Sequence, residues 1–116
     1  MVWRHEFIPS ALRDLDLIGR FIELNALARG ESEESALTMS QLRIKKILTS
    51  AEALNRAPYQ GTRLPGLGPS IRRTTKDRAI FYFDLIEDRH IIRILAIFFG
   101  GQDHDSRILA RLLSPG

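Results

Sequence analysis

Five basic side chains, Arg72, Arg73, Lys76, Arg78 and Arg93, follow one another through a region otherwise rich in β-formers. A guanidinium is a planar fork of donors that suits the oxygens of a phosphate or a carboxylate. Arg72 and Arg78 therefore either anchor such a group on a target or pair with Asp77, Asp84 or a partner chain. Arg93 sits among aliphatic neighbours, where an unpaired charge is costly, so an intramolecular partner such as Asp84 is favoured over a ligand. Proton transfer has one candidate in His104, which lies between Asp103 and Asp105 and has an ordinary pKa of about 6.5. A histidine beside carboxylates at a helix start is more often structural or solvated, and Asp103 reads as that helix's N-cap. If catalysis occurs at all, Arg78 and His104 are its candidates. His5 and His90 lack metal-ligand spacing and the chain has no cysteine, so no metal and no cofactor are expected. Gly66-Leu67-Gly68 is not a phosphate loop, because no strand precedes it and no helix follows. Arg43, Lys45 and Lys46 form a basic face that is either solvated or a contact for nucleic acid or a partner.

The elements that must position these groups follow from periodicity. Val2–Ile8 alternates Trp3, His5 and Phe7 with Arg4 and Glu6 and reads as a strand, stopped by Pro9 and Ser10. From Ala11 the period is helical. Ala11, Leu15, Ile18, Ile22 and Ala26 form one stripe, and Leu17, Phe21 and Leu24 form a second beside it. So wide an apolar face predicts contact with both a sheet and another helix. Gly30 ends this helix and Ser32 caps the next, with Glu33 and Glu34 in its first turn. The second helix carries Leu37, Ile44, Ile47, Leu48, Ala51 and Leu54, and the pair makes a helical hairpin. Tyr59–Pro69 is loop by composition. Strands are predicted over Ser70–Thr75, Arg78–Ile86 and His90–Phe99, with Glu87, Asp88 and Arg89 turning between the last two. A short helix over Asp103–Leu113 closes the order β-α-α-β-β-β-α. The expected class is α+β, one domain over residues 1–116, with the hairpin on one face of a mainly antiparallel four-stranded sheet.

Composition bounds the rest. Hydrophobic residues make up 44% and charged residues 27%, which is ordinary for a folded globular chain and argues against disorder. No apolar run reaches the roughly 18 residues of a membrane span, and the first residues lack a signal peptide's apolar segment, so a cytoplasmic protein is expected. The formal charge of +3, with Lys45, Lys46 and Lys76 the only lysines, mildly favours a nucleic-acid or acidic-protein partner.

The last two predicted strands are apolar on both faces. Strict alternation puts Ile80, Tyr82 and Ile86 opposite Ala79, Phe81, Phe83 and Leu85. In the next strand it puts Ile92, Ile94, Ala96 and Phe98 opposite Ile91, Leu95, Ile97 and Phe99. A hairpin roofs one face, whereas a short C-terminal helix roofs only part of the other. Covering about 400 Å² of apolar surface is worth roughly 10 kcal/mol before ordering costs. Phe81, Phe83, Leu85, Leu95, Ile97 and Phe99 are therefore expected to take a partner helix or a second copy. The alternative is that the C-terminal helix and the long loop complete the cover alone.

Taken together, the first strand running into Ala11-Leu12-Arg13-Asp14-Leu15-Asp16-Leu17-Ile18, the loop around Gly61, Arg63 and Pro65, and the segments Ile71-Arg72-Arg73, Arg78-Ala79-Ile80-Phe81-Tyr82 and Ile91-Ile92-Arg93-Ile94-Leu95 resemble the RelE/ParE toxins of bacterial type II toxin–antitoxin systems. The resemblance spans nearly the whole chain and leans to the ParE branch. It implies a growth-inhibiting toxin of the plasmid-stabilising kind, neutralised by a ParD-like or RelB-like antitoxin that makes most of any DNA contact. It also implies a target, DNA gyrase for ParE-like members or the ribosome for RelE-like mRNA endonucleases, contacted through Arg72, Arg73, Lys76, Arg78 and Arg93. RNA cleavage needs a base, an acid and cations. Where nuclease members carry Arg, Tyr or His at the end of the last strand, this chain has Ala96-Ile97-Phe98-Phe99-Gly100-Gly101. Where some carry a glutamate just after the loop proline, Pro65 is followed by Gly66. These departures leave gyrase binding as the first expectation, with the nuclease and an inactive binding module as alternatives.

Overall fold

The computed structural model describes residues 2–100 and 104–113. A short strand β1 (Arg4–Phe7) leads into helices α1 (Pro9–Ala28) and α2 (Glu33–Ala53). The strands β2 (Thr62–Arg63), β3 (Ile71–Lys76), β4 (Ala79–Ile86) and β5 (Ile91–Phe99) follow, and helix α3 (His104–Leu113) comes last. No helix among the described residues is long and apolar enough to cross a membrane.

Local chemistry sets the helix ends. The residue before α1, Ile8, offers no side-chain cap, and Pro9 starts the helix instead, with its torsion preset and no amide proton to satisfy. At the other end Gly30 takes φ +95°, the Gly30 amide donates to Leu27 O and the Glu31 amide to Ala26 O, both at 3.0 Å. This is the Schellman arrangement, and the glycine makes it strain-free. Ser32 caps α2 by accepting the Ser35 amide at 3.0 Å. The two helices approach closely where Ser40 Oγ donates to Gly19 O at 2.7 Å. The buried line of α2 accordingly begins with the small residues Ala36 and Ser40 and continues through Ile47 and Ala51. Leu37 and Leu48, expected on that line, are exposed. So is the second stripe of α1: Leu17, Phe21 and Leu24 are 59%, 53% and 64% exposed. The hairpin uses only one of the two stripes that the periodicity offered.

The sheet has order β1-β5-β4-β3-β2, with β1 parallel to β5 and the other pairs antiparallel. It has five strands rather than four, because Thr62 and Arg63, expected in a loop, pair with Arg73 and Arg72 as a short edge. Gly61 makes that possible. Its φ is +83°, and a Cβ there would collide with the Arg73 carbonyl. Gly61→Ala should therefore lower stability by about 2 kcal/mol, measured as a fall in the thermal midpoint.

Strict alternation fails in β5. Phe83 pairs with Ile94 but Tyr82 pairs with Ala96, so Leu95 is an extra residue at a β-bulge. The bulge reverses the phase of the strand. Ile92 and Ile94 face the hairpin before it and Ile97 after it, joining Ala79, Phe81, Phe83 and Leu85 in one core with Leu15, Ile18 and Ile47. Ala96 and Phe98 turn to the opposite face, where Tyr82, Ile108 of α3 and the loop residues Leu64 and Leu67 enclose them.

This overturns the expected partner surface. Phe81 and Phe83 are fully buried, Leu85, Leu95 and Ile97 are buried, and Phe99 is partly so. The hairpin roofs one face, and α3 with the loop before β3 roofs the other. The physical reason given for an obligate partner on the sheet therefore does not hold, and any docking surface has to lie elsewhere.

Candidate functional site

The pleat separates the five predicted cations. Cross-strand partners share a face, so Arg72 opposite Phe83 and Lys76 opposite Ala79 lie on the hairpin side. Arg73 opposite Tyr82 lies on the α3 side. Arg72 is committed to the scaffold. It donates to the carbonyl of Tyr59 at 2.6 Å and lies over the Tyr59 ring at 5.6 Å, tying the segment after α2 to β3. Arg93 has the partner the sequence suggested: Asp84 accepts from it at 3.0 and 2.6 Å. Those hydrogen bonds raise the Arg93 pKa, against the opposing effect of partial burial.

Arg78 is placed differently. Asp77 and Arg78 form the two-residue turn between β3 and β4 and have φ of 51° and 70°. Such turns normally carry Asn-Gly or Asp-Gly, because both positions are left-handed. A long side chain held there at a conformational cost is a reason to look for a role. Its guanidinium lies 5.6 Å from the centre of the Phe99 ring, and Arg43 of α2 lies at the same distance while donating to Asp77 at 3.3 Å. Arg78→Gly should leave the protein slightly more stable, by about 0.5 kcal/mol in a urea melt. Relief of the left-handed torsion, about 1 kcal/mol, outweighs an exposed cation–π contact of about 0.5 kcal/mol.

The Arg43–Asp77–Arg78–Phe99 cluster is one end of an open trough of about 880 Å³. Its walls are the C-terminal half of α1, with Phe21, Ile22 and Asn25, the residue Arg29 just past its end, and one face of α2 from Met39 to Ser50. Lys45 and Lys46 also line it, so the basic face noted in the sequence is a wall of this trough. Phe21 and Leu42, 53% and 58% exposed, give these walls apolar surface. The positive charge of this lining is complementary to acidic or anionic groups. Asp77, the only carboxylate in its lining among the described residues, is already bonded to Arg43.

A second cluster was not anticipated. β1 pairs with β5 only as far as Ile94, because the chain then turns into α1. Beyond it, Asp14 of α1 accepts the Ile97 amide at 2.9 Å and a forked pair of bonds from Arg111 of α3 at 2.6 and 2.8 Å. Arg111 also donates to Leu95 O at 3.4 Å, and its guanidinium lies 5.7 Å from the Phe98 ring. Two side chains thus do the work of an absent strand and fasten α3 to the sheet. Hydrogen bonding to Asp14 raises the Arg111 pKa, which burial opposes. A signal was available: with Ala11, Leu15 and Ile18, Asp14 shares the buried stripe of α1.

His5 Nδ1 is 3.2 Å from Asn55 Oδ1, whereas the His90 ring packs against Trp3. No group of His, Asp and Glu able to hold a metal occurs among the described residues. His104 opens α3, but Asp103 and the side chain of His104 lie outside the described residues.

A helical hairpin laid on a mainly antiparallel sheet with a parallel first strand, closed by a short C-terminal helix, is an α+β fold. No protein-family model matches the chain, and no curated protein sequence is similar to it. Among solved structures, the chain is similar to one described as a chromosomal ParDE TA system from P. aeruginosa, with a TM-score of 0.61. The two are 21% identical, over 87% of this chain and 98% of that one. The fold implied by the sequence resemblance is the fold found.

Proposed function

We propose that this chain is the toxin of a type II toxin–antitoxin system, that it inhibits DNA gyrase by binding, and that a cognate antitoxin keeps it silent. The observation that carries the reading is the fold shared with the ParDE chain over almost the whole of both. Gyrase rather than message cleavage is favoured by the end of β5, where Ala96-Ile97-Phe98-Phe99-Gly100 supplies no group that could move a proton. In this reading Lys76 and Arg78 at the β3–β4 turn contact the target, together with Arg73 and Arg93 on the α3 side. Arg72 holds the fold.

Induced expression without a partner should arrest growth, and purified protein should reduce gyrase supercoiling in vitro. Full supercoiling at large toxin excess would remove the gyrase reading. Codon-specific cleavage of message on translating ribosomes would replace it with the nuclease.

A further inference from the structure

The outer side of α1 carries a run of side chains that is complementary to its own reverse. Leu12, Asp16, Arg20 and Leu24 recur at every fourth residue, so they form one ridge winding along the helix, and all four are exposed. Read backwards, the order apolar, acidic, basic, apolar becomes apolar, basic, acidic, apolar. We infer that this ridge pairs with the same ridge of a second copy of the chain, in a two-fold dimer formed through the helical hairpin. Such a dimer lies outside the function proposed above and requires nothing of its target.

A two-fold axis sets residue i of one copy against residue j of the other, and j against i. With the axis passing midway between Asp16 and Arg20, Asp16 of each copy meets Arg20 of the other, and Leu12 meets Leu24. Four side chains of each chain then make two ion pairs and two apolar contacts. Among the described residues neither Asp16 nor Arg20 has an ion-pair or hydrogen-bond partner, so both charges are available. Leu12 and Leu24 are 50% and 64% exposed, and pairing them takes out of water apolar surface that the fold itself leaves there.

The surrounding shape admits a second ridge. Ridges built on every fourth residue interdigitate when two helices cross at about 50°, the commonest packing between helices. Asp16 and Arg20 border an open groove of about 420 Å³ between α1 and α2, with Leu15, Ile44 and Leu48 in its lining. Gly19 beside the ridge has no side chain to fill that groove. Charge identifies the occupant. The lining holds Asp16 and Glu23 against Arg20 and Lys45, two acids and two bases. A face of one sign would repel its own copy, whereas a balanced face with this order of charges matches it. None of the four ridge residues lines the trough at Arg78, so the two surfaces are separate.

Sedimentation velocity of the full chain, over roughly micromolar to millimolar concentrations, tests the pairing. The wild type is expected to form a reversible dimer. Asp16→Arg and Arg20→Asp each set like charges against one another at both contacts. Each variant should melt like the wild type, because the sites are exposed, and should dimerise about tenfold more weakly or worse. Mixing the two variants puts opposite charges back at both contacts, so an equimolar mixture should dimerise about as tightly as the wild type. A wild type that stays monomeric throughout would leave the ridge to a foreign partner or to none, and would overturn the inference. Single variants that dimerise as well as the wild type would overturn it by placing the contact elsewhere. A mixture that stays as weak as its two components would overturn it as well.

Discussion

Asp14→Ala should destabilise the protein by about 3 kcal/mol, read as a lower urea midpoint, although the residue is a single carboxylate on a helix remote in sequence from its partners. Removing it orphans the Ile97 amide inside the structure and leaves the partly buried Arg111 guanidinium without its forked acceptor. Both losses cost more than the bonds contribute, because a buried donor without an acceptor has given up water for nothing. The effect is also structural: α3 is held over Tyr82 and Phe98 by Ile108 and by this pair, so freeing Arg111 loosens the roof of that face. The double variant Asp14→Ala/Arg111→Ala should therefore lose less than the sum of the singles. A strictly additive pair would mean that the carboxylate and the guanidinium are not coupled. The linkage to pH has a definite sign. Because the folded-state pKa of Arg111 is raised, its contribution is present at every pH below the ordinary guanidinium value and fades only in strong alkali. No loss from Arg111 is expected between about pH 5 and pH 9.

Phe83→Ala should cost about 4 kcal/mol, the largest effect among the side chains considered for partner binding. Phe83 is fully buried between β4 and the hairpin, packed in the same core as Leu15, Ile18 and Ile47, so truncation leaves a cavity that rigid helices cannot close. A partner-facing phenylalanine would behave in the opposite way, losing affinity with little loss of stability. Phe21→Ala supplies the contrast. It removes a ring that is 53% exposed in the trough wall, so stability should change by no more than about 0.5 kcal/mol. Paired thermal melts of the two variants decide between the surfaces. Equal stability losses would contradict the separation of the buried core from the open trough.

That separation is also where reading the sequence met its boundary. The ends of α1 and α2, the order of elements and the α+β class were legible because each depends on neighbours in the chain. Pro9, Gly30 and Ser32 act through torsions and hydrogen bonds a few residues away, and apolar periodicity reports helix or strand directly. The Arg93–Asp84 pair was legible for a related reason, since a charge in an apolar strand needs a partner on the strand beside it. The register of β5 was not. A bulge at Leu95 leaves no mark in a strand whose residues are apolar at every position, so alternation assigned Ala96 and Phe98 to the wrong face.

What the linear order of residues determined, then, was the set of elements and the supply of cations. Tertiary structure alone decided which apolar surface stays open. The two stripes of α1 are chemically alike, and only the docking of α1 on the sheet selects Leu15 and Ile18 for the core and leaves Phe21 in the lining of the open trough. The same holds for Asp14, whose amide and guanidinium partners come from chain segments far downstream. Burial and charge pairing between distant segments depend on packing, and packing is set by the sum of all contacts rather than by any local pattern.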